Sequence, residues 1–265
     1  MKKRFFKREQ LCIPYALFLV LFVLVPLLVI IYYAFTNGEG KFTFANLAGF
    51  FTSGNTIGTL FYSFCLALVT TCVCLLIAYP VAYILAKSKM KRKGVILMMF
   101  VMPMWINFTL RITALKEILT VIEHNLAFHP FLNSVIGMTY DFLPFMILPI
   151  YNSLERLDPS FSEAAADLGA NRRQVFMKVV LPLSIPGVVS GITMVFLPAM
   201  TNYVVLDMLY NSTYIMGSLI GSYFSSYDWH NGSMIALVLL LLIVVFSMLT
   251  GKYDKNEETR GGSLV

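Results

Sequence analysis

Residues 11–35 and 60–86 each run without a single charged side chain. The stretches 94–110, 131–154, 179–206 and 233–251 repeat the pattern, with one acid, Asp141, among them. A helix needs about 20 apolar residues to cross a hydrocarbon core about 30 Å thick. A small soluble domain has no interior for so many such runs, because its surface-to-volume ratio leaves much of it wet. Apolar residues make up 58% of the chain and charged ones 13%, against roughly a quarter charged in soluble domains. The runs are continuous rather than alternating, which argues against a strand barrel. The fold class is therefore all-α: a polytopic membrane protein with six transmembrane helices, at about 11–35, 60–86, 94–115, 133–153, 186–208 and 233–250. Soluble enzymes, nucleic-acid readers and disulfide scaffolds are excluded. The expected medium is membrane lipid, with no nucleic-acid partner.

Lysine and arginine close to span ends mark the cytoplasmic side. Of the 20 basic residues, all but Lys41, Arg111 and Lys116 precede the first span, follow the sixth, or lie between spans two and three or four and five. This places residues 1–10 and the tail 251–265 in the cytoplasm, and the net charge of +6 reflects that bias rather than a polyanionic partner. The first apolar run is too long for a cleaved signal and no A-x-A-like site follows it, so 11–35 is expected to be a retained anchor. Cys12, Cys65, Cys72 and Cys74 all fall in predicted spans and read as small hydrophobes rather than ligands.

The cytoplasmic loop between spans four and five is too structured for a linker. Asp158-Pro159 starts a helix with φ preset at its first position, and Ser160 with Glu163 offers an alternative capping box. Gly169 can take the left-handed conformation that ends it. Asn171, with Gln174 three residues on, can cap a second helix, which Pro182 is expected to halt. The apolar faces are Ala164, Ala165 and Leu168 on the first helix, and Val175, Phe176 and Val179 on the second. From the residues alone, two readings stand: an amphipathic connector lying along lipid headgroups, or a protein-docking element.

The spacing Glu163-Ala164-Ala165, three residues, Gly169, nine residues, Val179, one residue, Leu181-Pro182 resembles the EAA loop of the permease subunits of bacterial ABC importers. The resemblance implies the type-I importer permease fold over 56–250, with 155–182 as the loop that couples the pore to an ATPase. It implies Glu163, Ala164, Ala165, Gly169, Arg172 and Phe176 as the coupling residues. The partners it implies are two copies of a cytoplasmic ABC ATPase, a second, related permease subunit, and an extracellular or periplasmic binding protein, in a bacterial cytoplasmic membrane. A narrower set is similar to the spermidine/putrescine permeases: Pro103-x-Trp105-x-Asn107-x-x-x-Arg111-x-x-Ala114-Leu115-Lys116, Leu143-Pro144-Phe145-Met146, Pro182 to Gly187, and Leu197-Pro198-Ala199-Met200. It implies a polyamine cargo and a heterodimer. The segment between spans three and four is shorter than that branch leads one to expect.

No G-x-x-x-x-G-K-[ST] phosphate cradle is present, so no cofactor is expected in this chain, and ATP and Mg belong to the partner. No nucleophile stands at workable spacing from a base, so enzyme chemistry is not expected. A secondary transporter or channel is the rival class, but paired repeats with matching broken segments are not visible. Asp141 and Asp207 lie in apolar surroundings, where an acid costs about 2.5–3.5 kcal/mol and so faces a partner or a cavity. A polyamine needs carboxylates and aromatic faces, the latter contributing about 0.5–2 kcal/mol each. Trp105, Tyr140, Tyr203 and Tyr210 complete the candidate path with those two acids. The same aromatics would serve as an interfacial belt, and Asp141 as an ion-pair partner of Arg111.

The topology is testable by single cysteines in a background lacking the four native ones. Asn55→Cys, Asn125→Cys and Asn231→Cys should react with an impermeant maleimide on whole cells, whereas Ser88→Cys and Asn171→Cys should react only after permeabilisation. Labelling of Asn171→Cys in intact cells would invert the assignment.

Overall fold

The computed structural model describes residues 13–88, 90–209 and 214–261; the basic cluster of residues 2–8, Lys89 and Tyr210 lie outside the described residues. The chain divides into two compact units, one of the residues up to 58 with 218–242, the other of 59–217 with those from 243 onward. Among the described residues five helices are long and apolar enough to cross a membrane, six if a pair of helices bent by 97° is counted as one span.

The first unit opens with α1, Ile13–Ala34. After it the chain turns back through a bridge between Thr36 and Phe42 into the short α2, Ala45–Thr52. The last carbonyls of a helix have no partner within it. Here the Asn46 amide donates to the carbonyls of Ala34 and Thr36, both at 2.9 Å. The His230 ring approaches the Tyr33 carbonyl at 3.1 Å, and Trp229 packs against Tyr33.

The long α3, Gly54–Lys87, leads into the second unit. There α4, Lys93–Trp105, and α5, Phe108–Glu123, form the bent pair, followed by α6, Pro130–Glu155. The loop after α6 holds α7, Pro159–Asp167. Next come α8, Arg172–Ala199, and α9, Tyr203–Leu209; most of α10, Met216–Ser225, and the first part of α11, Trp229–Gly261, fall in the first unit, which takes 218–242. Helix α6 is the centre of this unit: 61% of its most apolar stretch is buried, against 33% for α8.

Two sequence expectations are corrected. The third span is not one helix over 94–115 but two, meeting at 97°. Asn107 starts the second: its side-chain oxygen accepts from the amides of Thr109 (3.0 Å) and Leu110 (3.4 Å), and a strong N-cap competes with helix continuation. The fifth span is not 186–208. Helix α8 begins at Arg172, passes through Pro182 without stopping, and breaks after Ala199.

The passage through Pro182 has a physical cause. A proline inside a helix lacks the amide hydrogen and clashes with the carbonyl four residues back. Residues Phe176–Val180 form a π-helical turn, with the Leu181 amide bonded to the Phe176 carbonyl. The same device precedes Pro26 in α1, where Val20–Leu24 is π-helical.

Helices α6 and α8 approach closely where glycines remove a side chain. A methyl group on Gly187 would strike the Ser153 side chain and come within 2.7 Å of the Pro149 carbonyl, and one on Gly191 would lie 2.7 Å from the Met146 sulfur. Small residues at such crossings let backbones pack without a hydrophobic driving force. Gly187→Ala should destabilise the detergent-purified protein by about 1–3 kcal/mol. Gly58→Ala, at a helical glycine with open space around it, should be neutral or stabilise by up to about 1 kcal/mol. Equal melting shifts for the two would contradict the close approach.

Candidate functional site: a capped helical loop and a helix break

The loop between α6 and α8 is built by local hydrogen bonds. Asp158 caps α7 by accepting from the Ser160 amide at 2.9 Å, and that bond holds its carboxyl below the ordinary range. Ser160 itself is not the cap. At the other end the Gly169 amide bonds to the Ala166 carbonyl (2.9 Å) and the Ala170 amide to the Ala165 carbonyl (3.1 Å). This is the Schellman closure, and it requires φ > 0 at the residue beyond the helix; Gly169 has φ 83°. Asn171 and Gln174 then exchange two bonds of 2.9 Å as a reciprocal capping box.

Glu163, Ala164, Gly169 and Arg172 are exposed and Ala165 is half-buried. Leu168 is 90% exposed and Phe161 55%. Phe161, Ala165 and Leu168 stand at i, i+4 and i+7, one stripe of a helix. Phe161 was not among the residues selected from sequence, although that spacing was there to find it. Phe176 is half-buried and turns inward, its ring edge-on to Tyr79 and Tyr83 of α3. Tyr79 and Ser184 share a hydrogen bond of 2.9 Å, which ties the base of α8 to α3. Beside the loop, Glu155 accepts from Lys93 and from Tyr151, both at 2.8 Å.

The outer candidates separate into two groups. Asp141 is buried and ion-paired with Arg111. The Arg111 guanidinium lies 5.6 Å from the Tyr140 ring and 5.9 Å from that of Phe108. Asp141 and Tyr140 are thus brought together around an internal cation. Tyr203 and Asp207 lie four residues apart on the exposed side of α9, whose other side buries Val205, Leu206 and Leu209. Trp105, at the end of α4, is 77% exposed. Tyr210 lies outside the described residues.

Residues 78–254 match the family described as binding-protein-dependent transport system inner membrane component. The chain belongs to that family of importer permeases. It is 34% identical to the spermidine/putrescine transport system permease protein PotB of Haemophilus influenzae, over 89% of this chain and 90% of that protein. PotB of Escherichia coli strain K12 is 32% identical, over 91% and 96%. Among solved structures, a bacterial alginate ABC transporter in complex with an alginate pentasaccharide-bound periplasmic protein superposes with a TM-score of 0.68 at 12% identity, over 94% of this chain and 93% of that one. The architecture is that of an ABC importer permease, a multi-pass protein of the cytoplasmic membrane.

The two faces of α9 can be told apart chemically. In a cysteine-free background, Tyr203→Cys and Asp207→Cys should react with a small cationic methanethiosulfonate, and Leu206→Cys and Leu209→Cys should not. The reverse pattern would show that α9 is rotated.

Proposed function

We propose that this permease forms one half of the pore of an ATP-driven polyamine importer. The observation that carries the cargo is the identity of 34% and 32%, over about nine-tenths of the chain, to permeases named for spermidine and putrescine. The exposed Asp207 and Tyr203 fit such a cargo, because an ammonium chain is held by carboxylates and aromatic faces. A second, related permease subunit supplies the other half of the pore, and an extracellular or periplasmic binding protein delivers the polyamine.

Two copies of a cytoplasmic ATPase hold ATP and Mg and supply the energy. The α7 stripe of Phe161, Ala165 and Leu168, with Glu163, Ala164 and Arg172 beside it, is the docking surface. Gly169 fixes the angle between α7 and α8, and Phe176 passes the force to α3 rather than touching the ATPase. Both termini lie on the ATPase side.

Two variants separate the halves of this proposal in proteoliposomes holding the complete importer. Gly169→Asp strains the left-handed turn by about 1–2 kcal/mol and should abolish uptake while the complex still assembles. Asp207→Asn should cut spermidine uptake by about tenfold, the scale of a lost ionic contact, and leave basal ATP hydrolysis intact. Normal transport by Gly169→Asp would refute the coupling role. Parental uptake by Asp207→Asn would refute the ionic path. Transport of a neutral sugar or an anion in place of spermidine would refute the cargo.

A further inference from the structure

Two membrane helices of the second unit are interrupted, at 106–107 between α4 and α5 and at 200–202 between α8 and α9. In hydrocarbon a break exposes carbonyls and amides that no solvent satisfies, and it frees the outer segment to swing. Asp141 lies 14 residues from the cytoplasmic end of α6, about 20 Å along the helix axis and so within the core of the bilayer. Both breaks are tied to it. One carboxylate oxygen takes the Arg111 guanidinium from α5. The other accepts from the Asn202 amide, at 3.4 Å, in the second break.

Arg111 also reaches back across its own break: its second terminal nitrogen donates to the Pro103 carbonyl at 2.9 Å. The Arg111 and Asp141 side chains are 6% and 7% exposed. An ion pair so deeply buried is a poor source of stability, because desolvation offsets most of the attraction, and register is its best-attested use.

We propose that Arg111, Asp141 and Asn202 are positioning residues that lock the two helix breaks to one another, and that this lock sets the placement of α9. What α9 is placed for, contact of Tyr203 and Asp207 with a polyamine, rests on the function proposed above; the lock does not. Arg111 does this better than lysine would, since a planar fork can serve Asp141 and the Pro103 carbonyl at once where an ammonium is a point charge.

The test uses the complete importer in lipid, with native cysteines removed and spin labels on Ile106→Cys and Val204→Cys, two exposed positions, one beside each break. The parent should give a narrow distance distribution. Asn202→Ala, which leaves the ion pair intact and so should insert normally, should broaden it about twofold, as should Arg111→Gln/Asp141→Asn, which removes both charges together. Arg111→Lys should fall between. Unchanged distributions in Asn202→Ala and in the double variant would overturn the lock.

Uptake then tests what the lock is for. In the Asn202→Ala background the penalty of Asp207→Asn should shrink from about tenfold to about twofold, because an acid already misplaced has less to lose. If the distributions broaden but the penalty persists in full, the lock does not serve Asp207. If Asp207→Asn is silent in the parent, the path proposed for the cargo fails, while the distance measurement still decides the lock.

Discussion

Hydrocarbon offers a backbone amide or carbonyl no partner, so wherever this chain leaves the helical path inside the bilayer it must satisfy its own groups. Several departures among the described residues show how. The prolines at 26 and 182 are carried by π-helical turns that keep the helix continuous. The bend after Trp105 is closed by the Asn107 cap and by Arg111 on the Pro103 carbonyl. The break after Ala199 is closed by the amides of Thr201 and Asn202 on the Pro198 carbonyl. Among the exposed side chains are the α7 stripe of Phe161 and Leu168 and, on α9, Tyr203 and Asp207.

Between α7 and α9 lies α8, a continuous helix of 28 residues, about 40 Å long. It starts at the Asn171 cap beside the docking loop and finishes at the break that Asn202 links to Asp141. Gly187 and Gly191 hold it against α6, and Phe176 with Ser184 holds its base against α3. On the function proposed above, a displacement of α7 would reach α9 through this one helix. The short distance between α6 and α8 matters here, since a loosely packed rod would lose the displacement in side-chain rearrangement.

Much of this was legible in the sequence because bilayer thickness imposes a length on apolar runs. Four of the six spans, the Asp158 and Asn171 caps and the left-handed Gly169 follow from residue type and spacing. The bend at Asn107 was not read, although Pro103 and a capping asparagine inside an apolar run are its local signal. Pro182 was taken as a stop and Pro26 was not, yet the structure treats both alike; a π turn depends on which carbonyl the ring meets, and composition does not carry that. Asp141 was ambiguous for a deeper reason. A carboxylate in a membrane helix needs a partner; the sequence offers both Arg111 and a cargo path, and the three-dimensional arrangement decides for Arg111, thirty residues away along the chain.

The most direct test of the account is accumulation of labelled spermidine in proteoliposomes holding this chain, its sister permease, the ATPase and the loaded binding protein. ATP should drive uptake against a gradient, and a variant with Phe161, Ala165 and Leu168 all changed to aspartate should bind the binding protein yet neither hydrolyse ATP in response nor accumulate cargo. Accumulation that proceeds without ATP, or that survives the loss of this stripe, would contradict it.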